Sequence, residues 1–212
     1  MSRHTKTARR QVFVNCPFDA AYRPLFHAII FTLKVCDYEP RSALEADNAV
    51  ETRFEKIVRI IRGCSLGIHD ISRTESSADG LPRFNMPLEL GLFLGAAKYG
   101  SSDQRRKIAL VLDRERFRFQ RYLSDIAGQD IRAHDNKPEN IIHEVRKWLA
   151  AVETGQKLLG GQAITKLYRA FQAQLPLLLS ELKLQEDEVE FNDLVLIITN
   201  WLASLSAADR AN

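Results

Sequence analysis

The sequence predicts an α/β fold: a flavodoxin-like doubly wound sheet of five parallel strands, followed by a C-terminal helical appendage. Three observations carry that prediction. Short β-rich runs alternate with segments of helical period between residues 11 and 153. Successive strands lie roughly 25–40 residues apart, the spacing of right-handed β-α-β crossovers. Beyond Thr154 no strand signal remains, and two apolar helical stretches follow. Five units of this kind suggest the strand order 2-1-3-4-5.

Taken in order, "QVFVNC" (11–16) is a β-rich run closed by Pro17 and reads as the first strand. Asp19 is placed to cap a helix over about 20–35, with Leu25, Phe26, Ile29, Ile30 and Leu33 on its buried stripe. "DYEPRSA" (37–43) is a short strand, and its Pro40 assigns it to a sheet edge. Residues 48–62 form a helix on the recurrence of Val50, Phe54, Ile57, Val58 and Ile61. "CSLGIHDI" (64–71) is the third strand, and a polar loop covers 72–83. The helix that follows contains "FNMPLELGLFLGAAKYG" (84–100), and "KIALVLD" (107–113) is the fourth strand. A short helix is expected over 116–125, a last strand in "DIRAHD" (130–135), and a helix over 138–153 that turns Ile141, Ile142, Val145, Trp148, Leu149 and Val152 inward. "TGQKLLGGQ" brings three glycines together and marks a boundary. The chain thus divides into a basic tail (1–10), an α/β domain (11–154) and an appendage (155–212). The appendage holds helices at about 162–184, interrupted by Pro176, and 187–206.

Composition bounds the function. The chain has 212 residues, 45% hydrophobic and 27% charged, as an ordinary globular protein does. A net charge of +3 is too small to call for nucleic acid. Arg3, Lys6, Arg9 and Arg10 make a basic tail, whereas residues 181–193 hold six acids against Lys183. Such runs read as solvated faces. No apolar run reaches the ~20 residues of a membrane span, and no signal peptide is visible, so a cytoplasmic location is expected. Cys16, Cys36 and Cys64 are odd in number and widely spaced. They read as buried thiols in a reducing compartment, with no zinc site.

One residue breaks the pattern. Between Phe84 and Ala97 every position is apolar, glycine, proline or Asn85, except Glu89. Pro87 suits a first helical turn, Gly91 and Gly95 would let a neighbour approach closely, and apolar residues all round imply burial on both sides. In a doubly wound sheet, ligands bind beyond the strand ends where the order reverses, here between the first and third strands. "NCPFD" (15–19), "HDISR" (69–73) and the segment from Asn85 to Glu89 should meet there. Glu89 would then face the crevice from the first helical turn. Desolvation would raise its pKa and the helix end would lower it, leaving it able to stay ionised toward an incoming cation. The competing reading is a local one, a carboxylate favoured by the helix dipole or capping its own amides.

These segments resemble a known family. "FVNCPFD", "HDISR" and above all "PRFNMPLELGLFLG" look like the TIR-like predicted nucleotide-binding proteins of bacteria, where a related "N-x-x-FELG" opens the corresponding helix. The layout is also similar to nucleoside 2-deoxyribosyltransferases, whose catalytic Glu lies in an "ExG" matched here by Glu89-Leu90-Gly91. The resemblance covers about residues 11–150.

That resemblance implies chemistry on an N-glycosidic bond, with NAD as substrate and no cofactor or metal. Hydrolysis of NAD passes through an oxocarbenium-like ribosyl cation, which calls for one carboxylate against the anomeric carbon. Nicotinamide leaves as a neutral molecule from an already cationic ring, so no general acid is needed. Glu89 matches the catalytic position. Asp70 matches a second acid that could bind ribose hydroxyls, although the reading as a strand-end Asp opening a turn is slightly favoured. Asn15, Pro17 and Phe18 would line the crevice wall. Ser72 and Arg73 could meet a phosphate, with Asn85 and Arg83 as weaker candidates of the same kind, while His69 should face the core. The chain departs from the transferases in lacking an evident acid–water arrangement in 72–83, where only Glu75 and Asp79 are acidic. It has neither GxGxxG nor a Walker pattern, so strand-end amides and the helix start would have to hold a dinucleotide.

The expectation is an NAD glycohydrolase acting in bacterial antiphage defence. The family often self-assembles, and the apolar stripes of the appendage could supply the homo-oligomer contact or could pack on the domain. The alternatives are a non-catalytic nucleotide-binding or self-association module and a deoxyribosyltransferase-like enzyme.

Overall fold

The computed structural model describes residues 10–45, 48–74, 83–153, 155 and 157–211, with side chains through Leu205. The basic tail before Arg10 and the centre of the 72–83 loop, with Glu75 and Asp79, lie outside the described residues. The strands are β1 (Gln11–Asn15), β2 (Glu39–Arg41), β3 (Leu66–Asp70), β4 (Ile108–Asp113) and β5 (Ile131–Ala133). They form one sheet in the order β2-β1-β3-β4-β5, every pair parallel, as the alternation predicts. β2 is an edge strand, where Pro40 costs no ladder bond that a central strand would need. All of β3 is buried, and only Gln11 of β1 is partly open, because helices cover both faces.

The helices are α1 (Arg23–Val35), α2 (Arg53–Gly63), α3 (Asn85–Tyr99), α4 (Pro138–Val152), α5 (Gly161–Leu182) and α6 (Phe191–Ala211). On one side of the sheet, residues of α1 and α4 share a core with Val12, Val14, Ile68, Leu110 and Leu112. On the other side, Phe13 packs with Ile57, Ile60, Ile61 and Phe93 from α2 and α3.

Several expectations need correction. α1 starts at Arg23, three residues later than expected, with a proline in its first turn. Asp19 serves the preceding turn, where its Oδ1 accepts the Tyr22 amide at 3.0 Å. α2 starts at Arg53 behind a capping box formed by Thr52 and Glu55. Val50 therefore falls in the loop, 94% exposed, and Phe54 sits on an open first turn. Residues 116–125 form two 3₁₀ turns, Arg118–Arg121 and Ser124–Ile126. The left-handed Phe117 (φ 61°) and the pull of Asp113 on Arg118 set that chain path. α5 runs unbroken through Pro176. Only the proline's own amide bond is missing there, and packing on α1 holds the rest of the helix.

α5 and α6 form a second layer on α1. Phe31 of α1 meets Tyr168, Phe171 and Trp201 at ring separations of 5.4, 5.3 and 5.9 Å. Every residue of α1 from Leu25 to Leu33 is buried as a result. The stripe residues Phe171, Leu175, Leu194, Ile198 and Trp201 are spent on this packing, whereas Leu182 stays half exposed.

Gly67 is needed for the opposite face of β3. A Cβ there would lie 2.7 Å from His69 Nε2 and 2.8 Å from the Phe93 ring, both fully enclosed. Gly67→Ala is expected to lower unfolding free energy by about 1–3 kcal/mol, the cost of overpacking a filled core. Urea unfolding checks it; a neutral result would mean that this face has slack.

Candidate functional site

The ends of β1 and β3 meet the start of α3 at the reversal of strand order. Asn15, 2% exposed, fixes that junction. Its Nδ2 donates to the Met86 carbonyl at 2.9 Å and lies 3.1 Å from His69 Nδ1. The last residue of β1 thereby sets where α3 begins. His69 packs between Phe13 and Phe93, and burial with the nearby Lys107 charge pushes its pKa down to about 3.

Glu89 is the fifth residue of α3, so it lies past the first turn in which dipole stabilisation is strong. It is 6% exposed. Among the described residues no hydrogen bond reaches its carboxylate, and the helix has no side-chain N-cap. The local-cap reading of this residue is thus not realised. Burial, offset in part by the Arg53 charge, pushes its pKa up to about 7. The carboxyl therefore holds its proton to higher pH than an ordinary glutamate, burial outweighing the helix end that the sequence reading set against it.

Asp70 is fully enclosed and its oxygens are engaged. The Tyr22 hydroxyl donates to Oδ2 at 2.6 Å, His134 Nε2 stands 3.0 Å from the same oxygen, and the Ser72 amide donates to Oδ1 at 2.8 Å. The Asn136 amide donates to His134 Nδ1, which leaves Nε2 as the ring nitrogen that donates toward Asp70. Burial raises the Asp70 pKa, but His134, Ser72 and Tyr22 together carry it below the ordinary carboxylate value. The turn-opening role is real, since the Ser72 bond is an Asx turn. Tyr22→Phe removes one donor from a buried anion and is expected to cost about 1–3 kcal/mol in urea unfolding. A cost near zero would show that His134 and Ser72 suffice.

The remaining candidates are spread around this junction. Pro17 is buried, and Phe18, 40% exposed, stands at the rim edge-on to Phe26. Ser72 is buried with no partner for its Oγ, and its carbonyl accepts from Arg118 at 2.9 Å. The Arg73 guanidinium reaches Asp19 Oδ1 at 3.5 Å, a partly solvated pair. Asn85 and Arg83 are exposed at the start of α3. Cys16 lies at the centre of the cluster. Burial first, then the charges of Asp70, Glu89 and Asp19, raise its thiol pKa well above the ordinary value. Three carboxylates therefore lie within electrostatic reach of the Cys16 thiol; Asp70 is engaged, Asp19 is paired with Arg73, and Glu89 has no hydrogen-bond partner among the described residues.

No known protein family, curated protein or solved structure matches the chain. The site stands on its own geometry. Among the described residues no cluster of His, Cys, Asp and Glu has metal-binding geometry, and no helix is long and apolar enough to cross a membrane. A cleft of about 420 Å³ opens elsewhere, between α2 and α3, lined by Val58, Ile61, Leu92 and Ala96 among others. Glu89 does not line it and sits one helical turn before Leu92.

Sequence reasoning missed Tyr22, His134 and Arg53, and it noted Cys16 only as a buried thiol. Tyr22 and His134 act on a residue 48 and 64 positions away, and neither belongs to a local motif. A second buried network, in which Arg118 and Tyr122 hold Asp113 and the carbonyl of Ile71, likewise has no local signature.

Proposed function

We propose that the chain hydrolyses the N-glycosidic bond of NAD, with Glu89 as the catalytic carboxylate. The observation that carries this reading is a buried carboxyl near the strand-order reversal that no hydrogen bond from the described residues reaches. A structural carboxylate in such a place is normally satisfied, as Asp70 is. An unsatisfied one is poised for a charge that arrives with a ligand.

A cationic nicotinamide riboside unit would supply that charge. As it binds, Glu89 gives its proton to solvent and becomes the anion. When the C1–N bond breaks, the bond electrons go to nicotinamide and positive charge moves to the ribose C1, against the carboxylate. Water then adds at C1 and releases a proton, giving ADP-ribose. Because the leaving group needs no proton, the engagement of Asp70 does not stand in the way. It does weigh against a deoxyribosyltransferase, whose neutral base would want a second free acid. A role in antiphage defence follows from the family resemblance alone and is proposed on that basis.

Purified protein incubated with NAD tests the reading by nicotinamide release. Wild-type turnover should fall by about 10²–10⁴-fold in Glu89→Gln, and its kcat/KM should rise with pH to a plateau above about 7. No turnover at any protein concentration, with NAD still bound, would establish a nucleotide-binding module instead. No binding at all would overturn both.

A further inference from the structure

We infer that the outer face of α3 is the contact surface of a two-fold homodimer, an inference independent of the enzymatic reading. α1 and α3 are both apolar nearly all round, which for a water-soluble helix requires cover on every side. α1 has its cover in α5 and α6. Among the described residues α3 has none on its outer stripe. Phe84 is 64%, Leu88 56% and Tyr99 91% exposed, and a Cβ added at Gly91 or Gly95 would meet nothing within 4 Å. Among the described residues no neighbour from the same chain approaches these glycines, and the expected burial of α3 on both sides is not found.

The occupant that fits is a second copy, because the face is self-complementary. Phe84, Leu88, Gly91, Gly95 and Tyr99 lie along one stripe of the helix. A two-fold axis crossing α3 beside Gly91 runs two copies antiparallel. It sets Leu88 over the vacant Gly95 position of the second copy and Phe84 against that copy's Tyr99, with each contact made twice. The α2–α3 cleft flanks the same half of α3 through Leu92, Ala96 and Gly100, and leaves room there for the opposing Leu88 or Phe84. Phe54, 53% exposed and one turn before Val58 of the cleft wall, extends the patch onto α2.

The area is also that of an interface. At 150–250 Å² for each aromatic ring, the open parts of Phe54, Phe84, Tyr99 and Leu88 amount to on the order of 500 Å². Counted on both copies that is on the order of 1,000 Å², the lower bound for a specific interface.

Analytical ultracentrifugation of the full chain across a micromolar-to-millimolar series tests the inference. The expected result is reversible association to twice the 24.2 kDa chain mass. Gly95→Arg should weaken it on the order of 30-fold or more. Because position 95 is open and glycine is a poor helix former, the monomer should keep its circular dichroism spectrum and melting temperature. Gly91→Cys should give a disulfide-linked dimer on mild oxidation, the native thiols being buried. Monomer throughout the series, a dimer indifferent to Gly95→Arg, or failure of Gly91→Cys to cross-link would each overturn the inference.

Discussion

Glu89→Gln is expected to stabilise the fold at pH 8 while lowering the proposed NAD turnover by about 10²–10⁴-fold. The folded-state pKa of about 7 stands above the ordinary 4.5, so between those values the folded chain keeps a proton that the unfolded chain has released. Stability contributed by this site is therefore greatest at low pH. It declines as pH rises through that window and levels off above 7. The full difference is about 3 kcal/mol at 1.36 kcal/mol per unit. Glutamine keeps the shape and cannot ionise, so urea unfolding at pH 8 should show the variant more stable by that amount, and at pH 4.5 the two should coincide. The pairing of gained stability with lost activity separates a functional carboxylate from a structural one, whose removal destabilises. If the variant is less stable at both pH values, Glu89 holds the fold together and its catalytic assignment loses its physical basis.

Removing residues 154–212 is expected to abolish folding of the α/β domain. The sequence drew a boundary at the glycines after Val152, but the core does not stop there. Ile164, Tyr168, Phe171, Phe191, Leu194, Ile198 and Trp201 belong to one apolar cluster with α1 and α4. Each such side chain contributes about 1.5–3 kcal/mol on burial, against a total stability of 5–15 kcal/mol for a domain. Tyr168 also donates to the Pro24 carbonyl, and Asn192 to the Glu45 carbonyl. Circular dichroism and melting of chain 1–153 check this. A cooperatively folded product would show that the last two helices are a separable unit.

The two helices α1 and α3 show how far the sequence could be followed. The hydropathy of α1 was legible as a stripe, and the burial of its other side was not, because the covering residues lie some 140 positions away. The same rule applied to α3 led to the expectation of burial on both sides, and there the chain supplies no cover among the described residues. Strand order and the edge position of Pro40 were legible because they follow from alternation and from the missing proline amide. Glu89 was legible as an isolated charge. The engagement of Asp70 was not, since it depends on a tyrosine and a histidine brought in by other elements. The 3₁₀ turns at 118–126 were read as a helix because charge and aromatic content alone do not fix φ.

The turn leaving β3 has a consequence for any phosphate-bearing ligand. The Ile71 amide is given to Leu112, the Ser72 amide to Asp70, and the carbonyls of Ile71 and Ser72 are held by Arg118 and Tyr122. A pyrophosphate arriving here finds no spare main-chain donor at either position. Its grip would fall to flexible guanidinium groups such as Arg73, which first has to let go of Asp19. Recognition of that kind is weakened by added electrolyte, so capture of such a ligand should decline steeply as ionic strength rises, while the chemistry proposed for the buried Glu89 should stay largely unscreened.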